Sequence, residues 1–190
     1  MAGDGKRRRG SPRRYELVVA GLGGQGVLLA TQLLVRAGLR EYPHVCWFPT
    51  YATLVRGGDC EGTAILSDEP IHSPLVYRPQ ALIIMSTGSL RSFSDRMGPG
   101  SLLILDTSLV PQWEERDGVE TVAVPATQRA TELGSPQSAN LLLLGVYLKK
   151  TGAVRIETAE ATLRDRLTQE GKEAFLSKNL EALRFGYSQV

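Results

Sequence analysis

The chain has 190 residues, 42% of them hydrophobic, and a formal net charge of +2. This length suits one well-cored α/β domain and excludes two large ones. Its apolar runs, such as Leu102 to Leu105 and Leu141 to Leu144, are far too short for a membrane span. The N-terminus has no apolar signal-peptide core, so we predict a soluble, cytoplasmic protein.

The first 14 residues concentrate the basic charge. They hold six Lys or Arg side chains and one acid, Asp4, and the rest of the chain then carries 16 basic and 19 acidic side chains. Gly, Ser and Pro interrupt the cluster, and no aromatic residue precedes Tyr15. We therefore predict a disordered basic tail at residues 1–14 and a single α/β domain at residues 15–190. A nucleic-acid-binding tail is the alternative.

The segment Val18 to Ala30 combines a buried strand, a glycine-rich turn and the start of a helix. Gly21, Gly23 and Gly26 have the G-x-G-x-x-G spacing, in which glycine permits a tight turn and close approach of the backbone to a phosphate. In a dinucleotide-binding fold the next strand, here His44 to Phe48, ends in an acid that binds a ribose hydroxyl. A Pro-Thr-Tyr sequence follows this strand instead, which argues against NAD binding.

Apolar runs of strand length recur along the chain, and helical patterns separate several of them. This alternation predicts a Rossmann-like, mainly parallel sheet with helices on both faces. The predicted strands are Tyr15 to Ala20, Val45 to Phe48, Gly62 to Leu66, Ala81 to Met85, Leu102 to Asp106 and Thr121 to Val124. The predicted helices among them are Val27 to Arg40, Ser89 to Met97 and Ala126 to Leu133.

Two parts of the chain depart from this alternation. The strand at Gly62 follows its predecessor too closely for a helical crossover, so we predict an irregular loop at Pro49 to Asp59. From Ser138 the pattern is wholly helical, with helices at Ala139 to Lys150, Ile156 to Leu167 and Lys172 to Tyr187. Apolar residues surround the first of these three helices, so we expect burial on both sides, with another subunit as a candidate cover.

Loops that leave the carboxyl ends of parallel strands meet at the crevice where α/β proteins bind ligands. Here these loops are Leu22 to Gln25, Pro49 to Gly58 and Ser86 to Gly88. Their backbone N–H groups, hydroxyls and one cation suit binding of an anion or contact with a subunit. The candidate cofactor-binding residues are Gly21, Gly23, Gly24, Gln25, Gly26, Tyr51, Arg56, Gly57, Gly58, Ser86 and Thr87.

Structural roles are the alternative for these side chains. Gln25 can cap the first helix, and Arg56 can pair with Asp59. The loops offer no acid–base pair and no activated nucleophile, so we predict no catalytic residue on this chain. Cys46 and Cys60 are the only cysteines, too few for an iron–sulfur cluster or a cysteine zinc site, so we predict no metal ligand.

Several motifs in the same order along the chain carry a family resemblance. They are the G-x-G-G-Q-G-V-L-L-A opening, the segment Trp47 to Tyr51, the Arg56-Gly57-Gly58 turn, the run Ser67 to Pro74 and the ending Asn179 to Tyr187. Together they cover nearly everything after Arg14. The chain resembles the gamma subunit of 2-oxoacid:ferredoxin oxidoreductases.

The resemblance implies a multisubunit oxidoreductase that oxidatively decarboxylates a 2-oxoacid, such as 2-oxoglutarate, pyruvate or a branched-chain oxoacid. The products are an acyl-coenzyme A and reduced ferredoxin. It also implies alpha and beta partner subunits, with a ferredoxin-like delta subunit as a further candidate, and places thiamine diphosphate, Mg and iron–sulfur clusters mainly on those subunits. The Gly23-Gly24-Gln25 loop and Arg56 are then expected near coenzyme A. Alone, the chain is expected to be inactive and to self-associate.

One segment departs from the family pattern. Ala52 to Val55 stands where a Gly-Pro-Glu-Met type of segment is common, and Asp59, Cys60 and Glu61 replace small polar residues after the glycines. A loop glutamate is thereby absent, which indicates either a divergent substrate class or a degenerate paralogue. The alternative function is a stand-alone nucleotide-dependent oxidoreductase, and it depends on the glycine turn alone.

Overall fold

The computed structural model describes residues 11–51 and 58–189. These residues form one sheet and the helices that pack on it. The strands are β1 (Arg14–Leu22), β2 (His44–Tyr51), β3 (Asp59–Ser67), β4 (Ala81–Ile84), β5 (Leu102–Asp106) and β6 (Glu120–Val124). The helices are α1 (Val27–Gly38), α2 (Thr87–Phe93), α3 (Ala126–Glu132), α4 (Ala139–Thr151), α5 (Ile156–Gln169) and α6 (Leu176–Ser188).

The six strands lie in the order β2-β3-β1-β4-β5-β6. β1, β4, β5 and β6 are parallel to one another, whereas β3 runs antiparallel to both β1 and β2. The mainly parallel sheet and the additional strand are thereby confirmed. The predicted loop after β2 starts too early, because β2 continues through Pro49 to Tyr51. An edge strand tolerates a proline since its outer side needs no N–H donor.

The two faces of the sheet carry cores of unequal size. The larger core lies between the sheet and α1, α3, α4, α5 and α6, and it includes Leu17, Val19 and Ile104. The smaller core includes Val18 and lies against Phe93 of α2. The alternate residues of β1 are thus buried on both faces, which explains why this strand is a continuous apolar run in the sequence. Helices on both faces are confirmed, with most of them on one face.

Helix α4 is the centre of the larger core, and every residue from Ala139 to Leu148 is buried. Helix α6 packs on it with backbone close to backbone. A Cβ atom at Gly186 would overlap the carbonyl oxygen of Leu142, and one at Gly145 would overlap the carbonyl oxygen of Leu183. The predicted burial on both sides is confirmed. Residues of the same chain bury α4, so the expectation that another subunit covers this helix is wrong.

The domain starts slightly before its predicted boundary. The backbone N–H of Arg13 and its guanidinium both bind the Asp68 carboxylate, with an Nη2–Oδ1 distance of 2.9 Å. These hydrogen bonds lower the pKa of Asp68. Arg14 is the first residue of β1. These two arginines therefore belong to the folded part, and the first ten residues of the predicted tail lie outside the described residues. No helix within 11–51 and 58–189 is both long and apolar enough to cross a membrane.

Candidate functional site

The glycine turn meets the ends of the neighbouring strands at the carboxyl edge of β1. Gly23 donates its backbone N–H to the carbonyl of Gly58 at 2.9 Å, which joins the turn to the residue before β3. Leu22 pairs with Asp59 across β1 and β3. Ser86 follows β4, the strand on the other side of β1. The described parts of the three predicted loops therefore converge at one edge, as expected.

The structure describes most, but not all, of the candidate residues. At this edge lie the five candidates of the glycine turn, together with Gly58, Ser86 and Thr87. Tyr51 is the last residue of β2. Arg56, Gly57 and the side chain of Tyr51 lie outside the described part of the chain. Contacts from these residues therefore stay predictions.

Gln25 holds the turn in shape through both of its side-chain polar atoms. Its Oε1 accepts a hydrogen bond from the Leu22 N–H at 2.6 Å, and its Nε2 donates to the Met85 carbonyl at 3.0 Å. Gln25 thus connects the end of β1 to the residue after β4. It does not cap α1, because Gly26 occupies the cap position without a side-chain hydrogen bond.

The glycines of the turn are required for different reasons. Gly24 and Gly26 have φ angles of 99° and 76°, which favour glycine. Gly26 also packs against Asn140, whose Nδ2 donates to the Gly26 carbonyl at 2.8 Å. A Cβ atom at Gly21 would overlap the Gln25 side-chain oxygen, whereas one at Gly24 would meet no described atom within 4 Å. Gly24 is therefore the open part of the turn.

The hydroxyls of Ser86 and Thr87 lie at the start of α2 and form hydrogen bonds within the protein. The Ser86 Oγ accepts a hydrogen bond from the Ser89 N–H at 3.0 Å and donates to the Ser89 hydroxyl at 2.8 Å, as N-cap serines do. The Thr87 hydroxyl donates to the Leu109 carbonyl at 3.4 Å. Both side chains lie where the sequence predicted, and both are engaged within the protein.

An ion pair that the sequence analysis missed involves Glu61 of β3, which pairs with Ala20 of β1. Arg96 Nη1 contacts the Glu61 carboxylate at 3.3 Å, and the same guanidinium donates to the carbonyls of Val76 and Tyr77 at 2.6 and 3.1 Å. These contacts fix Arg96 against the strand that borders the turn. Arg96 belongs to no motif and lies far from Glu61 along the chain, so no local pattern identifies the pair.

A cavity of 310 Å³ opens at this edge between β3 and α2. Burial raises the pKa of the Cys60 thiol, so the thiol stays protonated at neutral pH and is a poor nucleophile. Among residues 11–51 and 58–189, no group of three or more His, Cys, Asp or Glu side chains is placed to hold a metal ion. The cavity is lined by Thr50, Asp59, Cys60, Glu61, Ser89, Ser92 and Phe93.

The arrangement at this edge suits binding through the backbone. The first N–H groups of α1 have no partner within the helix, and such groups bind anions and carbonyls. The side chains of Gln25, Ser86 and Thr87 are already hydrogen-bonded inside the protein. A ligand at Gly24 would therefore meet main-chain donors first.

Substitution of Gln25 by Glu is expected to lower the free energy of unfolding by about 2 kcal/mol at neutral pH. Glu keeps the acceptor for the Leu22 N–H but turns a second oxygen toward the Met85 carbonyl, where a donor is needed. The loss should shrink toward about pH 4, where a protonated Glu can donate. Urea denaturation measures the change, and Gln112→Glu, at an exposed site, is the matched control. Unchanged stability in Gln25→Glu would contradict this role of the side chain.

Comparison with known proteins adds to this geometry. The chain matches the model of the pyruvate ferredoxin/flavodoxin oxidoreductase family over residues 16–189. It is 32% identical over 180 residues to the 2-oxoglutarate synthase subunit KorC of Methanothermobacter marburgensis, covering 91% of this chain and 95% of that protein. It is 31% identical over 176 residues to the ketoisovalerate oxidoreductase subunit VorA of the same organism. That alignment covers 92% of this chain and 36% of VorA, so the chain spans about a third of that relative.

A solved structure extends the likeness to the fold. The gamma subunit of a keto/oxoacid ferredoxin oxidoreductase from Geobacter sulfurreducens PCA matches with a TM-score of 0.78 at 26% identity. The match covers 91% of this chain and 96% of that subunit. All three proteins are named as subunits, which does not favour a stand-alone nucleotide-dependent enzyme. The predicted resemblance to gamma subunits is confirmed, and the chain belongs to the pyruvate ferredoxin/flavodoxin oxidoreductase family.

Proposed function

We propose that this chain is the gamma-type subunit of a multisubunit, cytoplasmic 2-oxoacid:ferredoxin oxidoreductase. The assembly would oxidatively decarboxylate 2-oxoglutarate, pyruvate or a branched-chain oxoacid, form the acyl-coenzyme A and reduce ferredoxin. One observation carries the proposal: a relative that is itself a 2-oxoglutarate synthase subunit aligns with this chain over 95% of its length. The chain would complete the assembly and contribute to the coenzyme A site.

Thiamine diphosphate, Mg²⁺ and iron–sulfur clusters fit better on the alpha, beta and ferredoxin-like delta subunits of the proposed complex. A cluster normally needs four thiolates, and this chain has two cysteines. Cys46 pairs with Ile65 on one face of the sheet, whereas Cys60 belongs to the core on the opposite face. Burial also raises the pKa of both thiols. The two cysteines therefore do not fit a shared cluster.

Coenzyme A fits the glycine turn. Its thiol would accept the acyl group, and its phosphates and amide groups match the main-chain donors at the start of α1. We assign contact with coenzyme A to the backbone around Gly23 and Gly24 and to the Arg56 side chain. Gln25 and Ser86 would keep the turn and α2 in the shape that this contact needs.

Purification of the tagged full-length chain from its native cells tests the proposal. Captured proteins would be identified by mass and assayed for thiamine diphosphate, iron and dye reduction that requires both a 2-oxoacid and coenzyme A. We expect an active iron–sulfur complex. The oxoacid that supports the fastest reduction of the dye would name the substrate. Recovery of the chain only with itself, or tight NAD(P) binding by the isolated chain, would contradict the proposal.

A substitution in the same complex tests the coenzyme A site. Arg56→Gln is expected to raise the KM for coenzyme A about tenfold, because a charge-assisted hydrogen bond to phosphate is worth about 1.5–3 kcal/mol. The complex should still assemble and bind thiamine diphosphate. Arg36→Gln, at an exposed position of α1, is the control and should leave the KM unchanged. An unchanged KM in Arg56→Gln would remove Arg56 from the site.

A further inference from the structure

A second cavity lies in the helical layer, where the starts of α1 and α4 meet the end of α5 and the segment before α6. Its volume is 210 Å³, below the range of about 300–1,000 Å³ that is usual for sites of drug-sized ligands. Most of the exposed area of its wall is apolar, and three charged side chains from the end of α5 and the residues after it also line it. The side chains used below are Leu29, Leu163, Phe175, Arg166, Glu170 and Lys172.

Two cations that line this cavity share one carboxylate. Arg166 Nε donates to Glu170 Oε1, and Lys172 Nζ donates to Glu170 Oε2, each at 2.8 Å. The hydrogen bonds from Lys172 and Arg166 lower the pKa of Glu170 to about 2, so its carboxylate stays ionised at neutral pH. One positive charge in excess therefore remains for an anion to neutralise.

Arg166 also retains a buried donor. The side chain is 14% exposed, and its Nη1 is buried without a hydrogen-bond partner among the described residues. An unsatisfied buried donor costs free energy, more so on a charged group, so this nitrogen requires an acceptor. The planar guanidinium matches carboxylate oxygens well. The exposed Arg164 on the same helix does not line the cavity.

We infer that this cavity binds a small carboxylate that carries a short apolar body. The carboxylate accepts hydrogen bonds from Arg166 and Lys172 and neutralises the excess charge. The apolar body lies against Leu29, Leu163 and Phe175. Inorganic phosphate would leave this apolar wall without a partner, and a nucleotide is too large for the volume. The inference uses none of the residues of the proposed coenzyme A contact and does not rest on the proposed function.

Titration of the full chain with 3-methylbutanoate tests the inference, with 3-methylbutanamide as the neutral ligand of the same shape. Binding would be followed by ¹H–¹⁵N NMR, including the Arg166 side-chain signal. We expect saturable shifts with the carboxylate and binding of the amide that is weaker by about tenfold or more. Arg166→Gln should weaken carboxylate binding by a similar factor, whereas Arg164→Gln should leave the Kd unchanged.

Lys172→Gln keeps the test decisive if Arg166→Gln does not fold, because Lys172 is exposed and its loss removes the second cation. It too should weaken carboxylate binding. Shifts that do not saturate, equal binding of acid and amide, or an unchanged Kd in the folded variants would overturn the inference. Equal affinity for inorganic phosphate would overturn it as well, because the apolar wall would then contribute nothing.

Discussion

Gly186→Ala is expected to lower the free energy of unfolding by about 3 kcal/mol or more. A Cβ atom there would overlap the Leu142 carbonyl oxygen and lie 2.7 Å from the carbonyl carbon. Both are backbone atoms within α4, so neither can rotate aside. Helix α6 would have to move away from α4, and this would open the larger core.

The matched control for this substitution is Gly88→Ala. A Cβ atom at Gly88 has the Ser86 hydroxyl oxygen at 3.9 Å as its near neighbour, which is an ordinary contact distance. Its effect should stay within about 0.5 kcal/mol. Urea denaturation followed by circular dichroism measures both variants. Wild-type stability in Gly186→Ala would contradict the close approach of α4 and α6.

Gly145→Ala tests the same helix contact from the α4 side. Its Cβ atom would overlap the Leu183 carbonyl oxygen and lie 2.8 Å from the Tyr187 nitrogen. The two helices need to separate only once to accommodate both methyl groups. The double variant is therefore expected to lose less stability than the sum of the single variants. Simple additivity would indicate two independent contacts.

Asn140→Asp is expected to lower the free energy of unfolding by about 3 kcal/mol at neutral pH. Asn140 is 2% exposed, and its Nδ2 donates to the Gly26 carbonyl at 2.8 Å. Aspartate would place a carboxylate oxygen against that carbonyl in a buried position. The turn would then lose its attachment to α4, and exchange of the amide hydrogens around Gly24 should become faster.

The loss of stability in Asn140→Asp is expected to depend on pH. Burial raises the pKa of the new carboxyl group above its unfolded value, because one of its oxygens faces the Gly26 carbonyl and no cation among the described residues is hydrogen-bonded to the side chain at this position. The penalty is therefore complete above the raised pKa and shrinks as the pH falls through it, because the protonated acid can donate to the Gly26 carbonyl. Free energies of unfolding of variant and wild type should accordingly converge toward about pH 4.

Asn179→Asp is the control for Asn140→Asp. The Asn179 side-chain oxygen accepts a hydrogen bond from the Ser138 hydroxyl, and a carboxylate oxygen can accept it equally well. Its stability should stay close to that of the wild type across the same pH range. A flat pH profile for Asn140→Asp would mean that the buried amide is not what holds the turn.

Much of the fold follows from local sequence patterns. The strands β1, β4 and β5 are apolar on both faces, so their positions can be predicted from the local sequence. The ends of helices are harder to predict from the sequence than the positions of these strands. Helix α2 begins at Thr87 rather than Ser89 because Ser86 caps it. Helix α6 begins at Leu176 because one 3₁₀ turn precedes it, where the apolar pattern already looks helical.

The candidate site could be located from the sequence but not built from it. Glycine spacing identified the turn, since a positive φ and a close approach both select glycine. The side chains that hold the turn make contacts between distant parts of the chain. Gln25 reaches Met85, 60 residues away, and Asn140 reaches Gly26 across 114 residues. The lone amide in the buried first part of α4, residues 139–148, was the available signal for Asn140.

The strand order has a consequence for how the domain meets other molecules. β2 and β6 are the edges of the sheet. β2 follows Pro43 and contains Pro49, which has no N–H to offer to a further strand. Prolines at an edge oppose strand addition and edge-to-edge aggregation. Partner subunits are therefore expected to dock on helices and side-chain surfaces rather than to continue the sheet past β2.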